Sequence, residues 1–518
     1  MNRILPVMVK IVGFLLTIWT LVALLGDQNS YNRLLLDQKA LLFISIMLLI
    51  ILLIVITLKS IRQGANKSVA NNYFDKIVIK LSVGLAVIMG WVWCNIYFKA
   101  GWDVWTIDYA AKVLTGQAEY ITWLTDYLSQ YPNNLVLIWI YSVTIKINRI
   151  IGVIDVSNGQ IVFLFLNTVI SWGTVLLIYY CIRKKTNNIK IAVGGWLIAV
   201  IMIGMSPWTT IPYSDALTVG IPITVYTLYI LAQEKRNTWL LYGLIGLFSI
   251  IGYNIKPQST IVLIAIIMAE IFQQKKNDWK NTLKIFSEIA IGIVCAIVIC
   301  NQIISTVETK IPIEKENAFT YTHWLMMGTN EETKGRYRGA DCDYSASFAT
   351  KNERSKANLA MTRERIKNYG VRGYLELLTN KLAMTYDDGT FSWFTGTGEF
   401  ATEIYDEKNY ASKVLRECFY YDGKYYSIAS TGLELIWFWV LLVCLLGLCG
   451  KKENATDIVL QLTVLGTVAF ELIFEVFARH LYCNIPIYIV LAMCSFDMMT
   501  KTLYLKYERK HQERLIAK

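Results

Sequence analysis

The chain has 518 residues, of which 55% are hydrophobic and only 17% are charged, and its formal net charge is +11. So few charges exclude a soluble globular protein of this length, because its surface would need more polar side chains. The basic residues form short clusters between apolar segments, as in the cytoplasmic loops of membrane proteins, so the positive charge does not indicate nucleic-acid binding. The sequence predicts an all-α, multi-pass protein surrounded by membrane lipids.

About a dozen apolar segments are each near the ~20 residues that a helix needs to cross a bilayer, which predicts 12 to 13 transmembrane helices. Arg3 and Lys10 place the N-terminus inside, so the loop that begins at Lys99 lies outside. The later basic clusters are then cytoplasmic on one condition. The segment Leu135–Ile151 must not be a full crossing, and it is predicted to be an interfacial or re-entrant helix. The later basic clusters that this condition concerns lie at 183–185, 235–236, 275–284, 451–452 and 501–518.

This topology divides the chain into four parts. Residues 1–308 form an N-terminal transmembrane bundle with a catalytic first outer loop at 99–134, and residues 309–430 form an extracytoplasmic domain that is too long for a simple connector. Residues 431–500 are C-terminal transmembrane helices, and 501–518 are a basic cytoplasmic tail. Cys342 and Cys418 fall in the outer domain, where they either form a disulfide or remain two unrelated thiols.

Asp103 is the first candidate for chemistry. It follows the third apolar run and is flanked by Trp102 and Trp105, so it can be partly desolvated and still reach an aqueous acceptor, as a general base must. The alternative is an interfacial aspartate within an ordinary aromatic belt. Asp108 and Asp126 are further candidates for the same role.

A second candidate group lies near the end of the next-to-last apolar run. Glu471, Glu475 and Arg479 are spaced four residues apart, which predicts one helical face, and His480 follows. Charged side chains in a membrane helix usually face a polar cavity. Arg479 and His480 are therefore candidates for binding an anionic substrate, whereas the glutamates could equally serve an interfacial ion pair with Arg479.

Two predicted outer turns carry further candidates. Lys256 precedes Pro257 in a hinge between two short apolar runs, where a lysine on the outer side would suit a bound phosphate or would extend to the interface. Tyr213 and Asp215 belong to a proline-containing turn that would contact a sugar or orient the lysine. The carboxylates at 341 and 343 are weak evidence for a metal, and neither a metal nor another cofactor is predicted.

Several short motifs together resemble a known superfamily. They are the first-loop aspartate, Ala110-Ala111, Tyr131-Pro132-Asn133-Asn134, Pro212-Tyr213-Ser214-Asp215, Lys256-Pro257, and Arg479 before Ile485-Pro486-Ile487-Tyr488. The pattern resembles bacterial membrane glycosyltransferases of the GT-C superfamily, particularly the polyprenyl-phosphate-sugar-dependent enzymes akin to protein O-mannosyltransferases and the lipid A aminoarabinose transferase. The landmarks extend from Asp103 to Tyr488, although each motif is short.

The resemblance implies an inverting hexosyl transfer from a polyprenyl-phosphate-linked sugar, on the extracytoplasmic face of the cell membrane. Asp103, or else Asp108, would be the general base. The donor phosphate would be held by Lys256, Arg479 and His480, and the other substrate contacts would come from Trp102, Tyr131, Tyr213, Asp215 and Glu475. Val104 stands where the O-mannosyltransferases have glutamate, which leaves the acceptor open among a cell-envelope glycan, teichoic acid, a lipid and a protein.

Three other functions compete with this one. A polysaccharide polymerase or ligase would also use lipid-linked glycans, and a basic outer loop would suit it (Arg336, Arg338, Arg354, Arg363, Arg365 and Arg372). A transporter would more often show inverted repeats and charges at the bilayer midplane. A non-enzymatic assembly or sensor protein is the third alternative.

Overall fold

The computed structural model describes residues 4–26, 32–63, 72–152, 159–234, 238–272, 279–399, 401–404, 409–450 and 454–516. Apart from short 3₁₀ and π turns, the described elements are α-helices and two strands, β1 (Phe98–Ala100) and β2 (Ala401–Ile404). Ten of the helical segments in these ranges are long and apolar enough to cross a membrane, and three shorter apolar helices accompany them. The prediction of an all-α, multi-pass membrane protein is confirmed.

Thirteen helices precede the large hydrophilic segment. They are α1 (Ile4–Leu25), α2 (Gln38–Gln63), α3 (Asn72–Ile96), α4 (Trp102–Thr115), α5 (Thr122–Gln130), α6 (Leu135–Ile151), α7 (Gln160–Thr186), α8 (Ile189–Ala199), α9 (Ser214–Thr218), α10 (Ile221–Ala232), α11 (Trp239–Tyr253), α12 (Ile261–Phe272) and α13 (Trp279–Glu308).

Seven helices follow. Four belong to the hydrophilic segment, namely α14 (Tyr321–Met327), α15 (Gly339–Ala346), α16 (Lys351–Tyr386) and α17 (Tyr410–Phe419), and three return to the bundle, namely α18 (Tyr426–Leu448), α19 (Ala455–Ile473) and α20 (Ile485–Ile516). Helix α16 begins with a reciprocal cap, in which Thr350 accepts from the Glu353 amide and the Glu353 side chain accepts from the Thr350 amide. It bends at Gly370, where φ is +59°.

The bundle has two chemically different ends. At one end Lys185 pairs with Asp457 (2.7 Å), and Lys501 pairs with Asp497 (2.6 Å). We call this the basic end. The predicted basic clusters at 235–236 and 451–452 lie outside the described residues, as do positions 275–278 of the cluster at 275–284. The opposite end carries the 97–134 segment and the hydrophilic helices α14 to α17, and we call it the site end.

The contacts of helix α6 bear on whether it crosses from one end of the bundle to the other. Gln160, at the start of α7, donates to the carbonyl of Phe98 (2.9 Å), so α7 begins at the site end. Helix α6 also begins there, directly after the 97–134 segment, and Arg149 near its end still contacts the Thr115 carbonyl of α4. Its length and composition fit a membrane span, whereas these contacts favour a helix that returns to the same side. The incomplete crossing stays a prediction.

The hydrophilic segment is tied to the bundle by backbone and side-chain hydrogen bonds. Strand β1 pairs antiparallel with β2, and Tyr420 donates to the carbonyl of Ile96 (2.7 Å). Trp208 donates to the carbonyl of Phe391 (3.1 Å) from the turn that precedes Tyr213. These contacts fix the segment over the ends of α3 and α8. Both Cys342 and Cys418 are free thiols, so the structure contains no disulfide between them.

One predicted helix is shorter than expected. Glu471 lies on α19, but this helix ends at Ile473. Glu475 follows outside any regular element, and Arg479 lies in a 3₁₀ turn. The prediction of one helical face bearing all three residues is therefore wrong. The physical reason is tertiary, because the amides that would continue the helix bond elsewhere: Glu475 donates to the Trp324 carbonyl and Val476 to the Gly335 carbonyl.

Candidate functional site

Asp103 lies in the first turn of α4 and is partly exposed. The preceding Trp102 has a φ of +46°, a conformation that a non-glycine residue adopts only when its surroundings enforce it. Both carboxylate oxygens of Asp103 are hydrogen-bonded, one by the Tyr127 hydroxyl and the other by the Tyr213 hydroxyl (2.8 Å). Burial, followed by the negative charge of Asp103, raises the pKa of Tyr127 far above its usual value, so this phenol keeps the proton that it donates.

Tyr213 follows a turn that is hydrogen-bonded to helix α7 of the bundle. The amide of Asn167 on α7 donates to the carbonyls of Thr209 and Ile211, both at 3.1 Å. These two bonds satisfy buried backbone groups and fix the direction in which the chain enters α9. The Tyr213 hydroxyl is thereby placed to bind the carboxylate oxygen of Asp103 that Tyr127 does not.

Arg479 lies beside this carboxylate. Its guanidinium carbon is 4.5 Å from the ring centre of Trp102, 5.7 Å from that of Tyr213 and 5.6 Å from that of Phe477. Aromatic faces attract a cation without neutralising its charge. The Nη1 atom is enclosed by protein and hydrogen-bonds to none of the described residues. A buried donor without an acceptor is costly, and an anionic ligand is the kind of group that would satisfy it.

Lys256 and Asp215 form a buried ion pair immediately next to Arg479. The two residues are 5% and 1% exposed, and the lysine also donates to the backbone carbonyl of Arg479 (3.3 Å). The predicted proximity of Lys256 and Arg479 is thus present. The ammonium group already faces a carboxylate, however, so its contact with a donor phosphate stays a prediction.

Lys381 holds the segment that carries Arg479. This lysine is fully buried on α16, and its ammonium group donates to the carbonyls of Gly328 (3.0 Å), Leu472 (3.0 Å) and Phe474 (2.5 Å). Burial lowers its pKa to about 7, and the nearby charges of Glu471 and Glu475 act in the opposite direction. One side chain therefore joins the hydrophilic segment to the end of α19, five residues before Arg479.

The other acidic and basic residues of this region have separate surroundings. His480 lies 3.6 Å from the buried carboxylate of Glu471, across the end of α19. Glu475 is close to His480 and Arg479, and burial raises its pKa. These groups border the Arg479 side chain, and their roles as phosphate-binding and substrate-binding residues stay predictions.

Asp108 and Asp126 do not converge with Arg479. Asp108 pairs with Lys112 at 2.7 Å, one turn along α4, and burial raises the pKa of its carboxyl although Lys112 opposes this effect. Asp126 is exposed on α5. Tyr131 packs against Tyr127 and donates to the thiol of Cys342 (3.4 Å) rather than to Asp103. Asp103 is therefore the carboxylate that the geometry favours as a base.

Two important residues escaped the sequence analysis. Tyr127 was given no role, although its spacing of four residues from Trp123 places both on one face of α5. Lys381 lies about 90 positions before its carbonyl partners in α19, and a lysine within a charged helix gives no local signal of burial.

The arginines that favoured a polymerase or ligase are partly structural. Arg354 is buried and donates to the carbonyls of Ser345 (2.8 Å), Glu316 (2.7 Å) and Phe348 (2.7 Å). Arg365 forms an ion pair with Asp341 (2.7 Å), and Arg372 pairs with Glu376 (3.0 Å) on the surface. Within the described ranges, no group of three or more His, Cys, Asp or Glu side chains is arranged to hold a metal ion.

A comparison with protein families gives one match. Residues 3–500 match a family described as "Conserved hypothetical integral membrane protein". The chain belongs to this family. The match covers the whole bundle and the hydrophilic segment, and it agrees with the multi-pass membrane architecture. Neither the curated proteins nor the solved structures contain a match to the chain.

Proposed function

We propose that this protein is a membrane glycosyltransferase that moves a sugar from a polyprenyl-phosphate donor to a hydroxyl group outside the cytoplasm. One observation carries the proposal. Two tyrosines hold the Asp103 carboxylate, and the Arg479 guanidinium has an N–H donor without an acceptor among the described residues. Both groups have Trp102 and Tyr213 as neighbours. A general base and an anion-binding cation are thus adjacent at one end of a membrane bundle.

The reaction follows from these two groups. Asp103 takes the proton of the acceptor hydroxyl, whose oxygen forms a bond to the anomeric carbon while the bond from that carbon to the phosphate oxygen breaks. The lipid phosphate leaves with the bonding electrons, and Arg479 stabilises the charge that develops on it. Attack opposite to the departing phosphate inverts the anomeric configuration.

The two hydrogen bonds to Asp103 support its role as base. Tyr127 and Tyr213 fix the carboxylate in one orientation, so that little rotational freedom is lost when the acceptor arrives. Tyr213 also packs against Arg479, at 5.7 Å. The base and the cation are therefore positioned by a common side chain.

The charge distribution supports an extracytoplasmic site. The end of the bundle with Arg183, Lys184, Lys185 and Lys501 fits the cytoplasmic side. The site end is opposite, and its hydrophilic helices would face the cell envelope. Acceptors on that side include a glycan, teichoic acid, a lipid headgroup and a protein.

A direct transfer assay tests this function. The purified chain in lipid nanodiscs is given radiolabelled polyprenyl-phosphate hexoses, together with a cell-envelope extract as acceptor, and incorporation of label is measured. Asp103→Asn is expected to reduce transfer by ~100- to 10,000-fold, because the proton acceptor is lost.

Asp108→Asn is the matched control, since it changes a carboxylate on the same helix that pairs with Lys112. It should retain most of the transfer. Wild-type turnover in Asp103→Asn would reject Asp103 as base, and an unchanged envelope glycan profile after deletion of the protein would count against the transferase itself.

A further inference from the structure

A continuous row of aromatic rings leads from the protein surface to Asp103. On α4, the rings of Trp105 and Tyr109 stack with centres 5.5 Å apart. Trp105 also contacts Trp123 of α5 at 5.6 Å, and Trp123 stacks on Tyr127 at 5.5 Å. The spacing of four residues on each helix places these rings on one face.

The outer rings of this row are accessible to solvent, and the innermost ring contacts the candidate base. Trp105 is 37% exposed and Trp123 is 42% exposed. Tyr127, the next ring inward, donates its hydroxyl proton to Asp103. A molecule lying on the two indoles would therefore reach the candidate base by following adjoining rings.

The connection from α4 to α5 carries exposed polar side chains close to the row. The Tyr109 hydroxyl donates to the Glu119 carbonyl (3.0 Å), and Gln117, Glu119 and Asp126 are exposed, together with Tyr120 and Ile121. Charged side chains are expensive in contact with hydrocarbon, so this composition favours water and a polar ligand. Partly exposed indoles close to carboxylates and an amide suit a pyranose ring, whose apolar C–H face stacks on an aromatic ring while its hydroxyls bind the polar groups. The acidic side chains also disfavour an anionic sugar.

We infer that Trp105 and Trp123 form an acceptor subsite for a neutral glycan, which binds by stacking a pyranose ring on the indoles. This inference rests on the proposed function, and it narrows the acceptor from four classes to one. The sugar unit stacked on Trp105 and Trp123 would place the adjoining sugar unit of the same glycan, with a free hydroxyl, next to Asp103.

Binding of short neutral oligosaccharides tests the subsite independently of transfer. The full chain in nanodiscs is titrated with cellohexaose, maltohexaose and chitohexaose, and binding is followed by saturation-transfer NMR of the sugar protons. The double variant Trp105→Ala/Trp123→Ala is expected to weaken binding by about tenfold or more, as the loss of two ring-stacking contacts predicts. The double variant with phenylalanine should recover part of the affinity.

Trp239→Ala is the control, because Trp239 is 60% exposed at the start of α11 and lies outside the row. It should bind as the wild type does. Brominated lipids quench the fluorescence of tryptophans that face the membrane. If the double variant with alanine loses this quenching, Trp105 and Trp123 face lipid and the inference is overturned. Failure of all three sugars to bind, or equal binding by the double variant, overturns it as well.

The binding experiment also separates this inference from the proposed function. Asp103→Asn should lose transfer and keep oligosaccharide binding. If the wild type binds sugars but transfers none, the glycan subsite is supported and the transferase function is rejected. If it transfers sugar but binds none of the oligosaccharides, the transferase function is supported and the subsite is rejected.

Discussion

The buried pair of Lys256 and Asp215 gives the sharpest test of how the site is held. Lys256→Met would leave the Asp215 carboxylate, which is 1% exposed, without its neighbouring ammonium group. Breaking a buried ion pair by removing one member typically costs ~3–5 kcal/mol, since an uncompensated charge remains. The second variant, Lys256→Met/Asp215→Asn, removes that charge, so we expect it to recover most of the loss.

The free energy of unfolding of both variants and of Asp215→Asn can be measured by SDS titration of the purified chain in mixed micelles. Lys190→Met is the control, because Lys190 is exposed on α8 at the basic end. The reasoning is refuted if Lys256→Met costs no more than this control, or if the double variant is no more stable than the single one. Transfer by the stable double variant then reports whether Lys256 does more than balance Asp215.

Three further predictions follow from other parts of the structure. Arg479→Met should lower transfer by ~100- to 1,000-fold through loss of charge stabilisation, and Arg479→Lys should recover only part of it because lysine lacks the planar fork; equal activity of the two would contradict this. In a cysteine-free background, a membrane-impermeant maleimide should label Ala340→Cys and not Lys184→Cys in intact cells, and the reverse pattern would invert the topology. Gly292→Ala should destabilise the packing of α13 on α11 by ~1–3 kcal/mol, because a Cβ there would lie 1.8 Å from the Gly243 carbonyl oxygen, whereas Gly84→Ala on α3 meets nothing within 4 Å.

The side of the membrane that the site residues share could be predicted from helix ends and charge, whereas the grouping of Asp103 with Lys256 and Arg479 came from the family resemblance. Asp103, Asp215, Lys256 and Arg479 each lie where an apolar run ends, and the basic clusters decide which ends share a side. Ends on the same side of a bundle are places where polar side chains from several helices can meet at little desolvation cost. The pairing of Asp108 with Lys112 was also available in the sequence, since the two are four residues apart on one helix.

The path of the chain from Ile473 to Arg479 could not be predicted, because no local signal ends the helix there. Its termination depends on carbonyl acceptors at Trp324 and Gly335, and on the ammonium group of Lys381. Hydrophobic periodicity reports which face of a helix is buried, and it contains no information about backbone partners more than a hundred positions away.

Lys256 and Lys381 have a common consequence for Arg479, although neither contacts its guanidinium group in any described hydrogen bond. The first donates to the Arg479 carbonyl at 3.3 Å, and the second to the Phe474 carbonyl at 2.5 Å, so both fix the backbone that presents this arginine. Aromatic rings then pack against the guanidinium, and Nη1 has no described acceptor. The backbone that carries this cation is therefore fixed in the folded chain. Under the proposed function, such preorganisation would strengthen charge stabilisation in the transition state, because no reorientation would be needed as the phosphate departs.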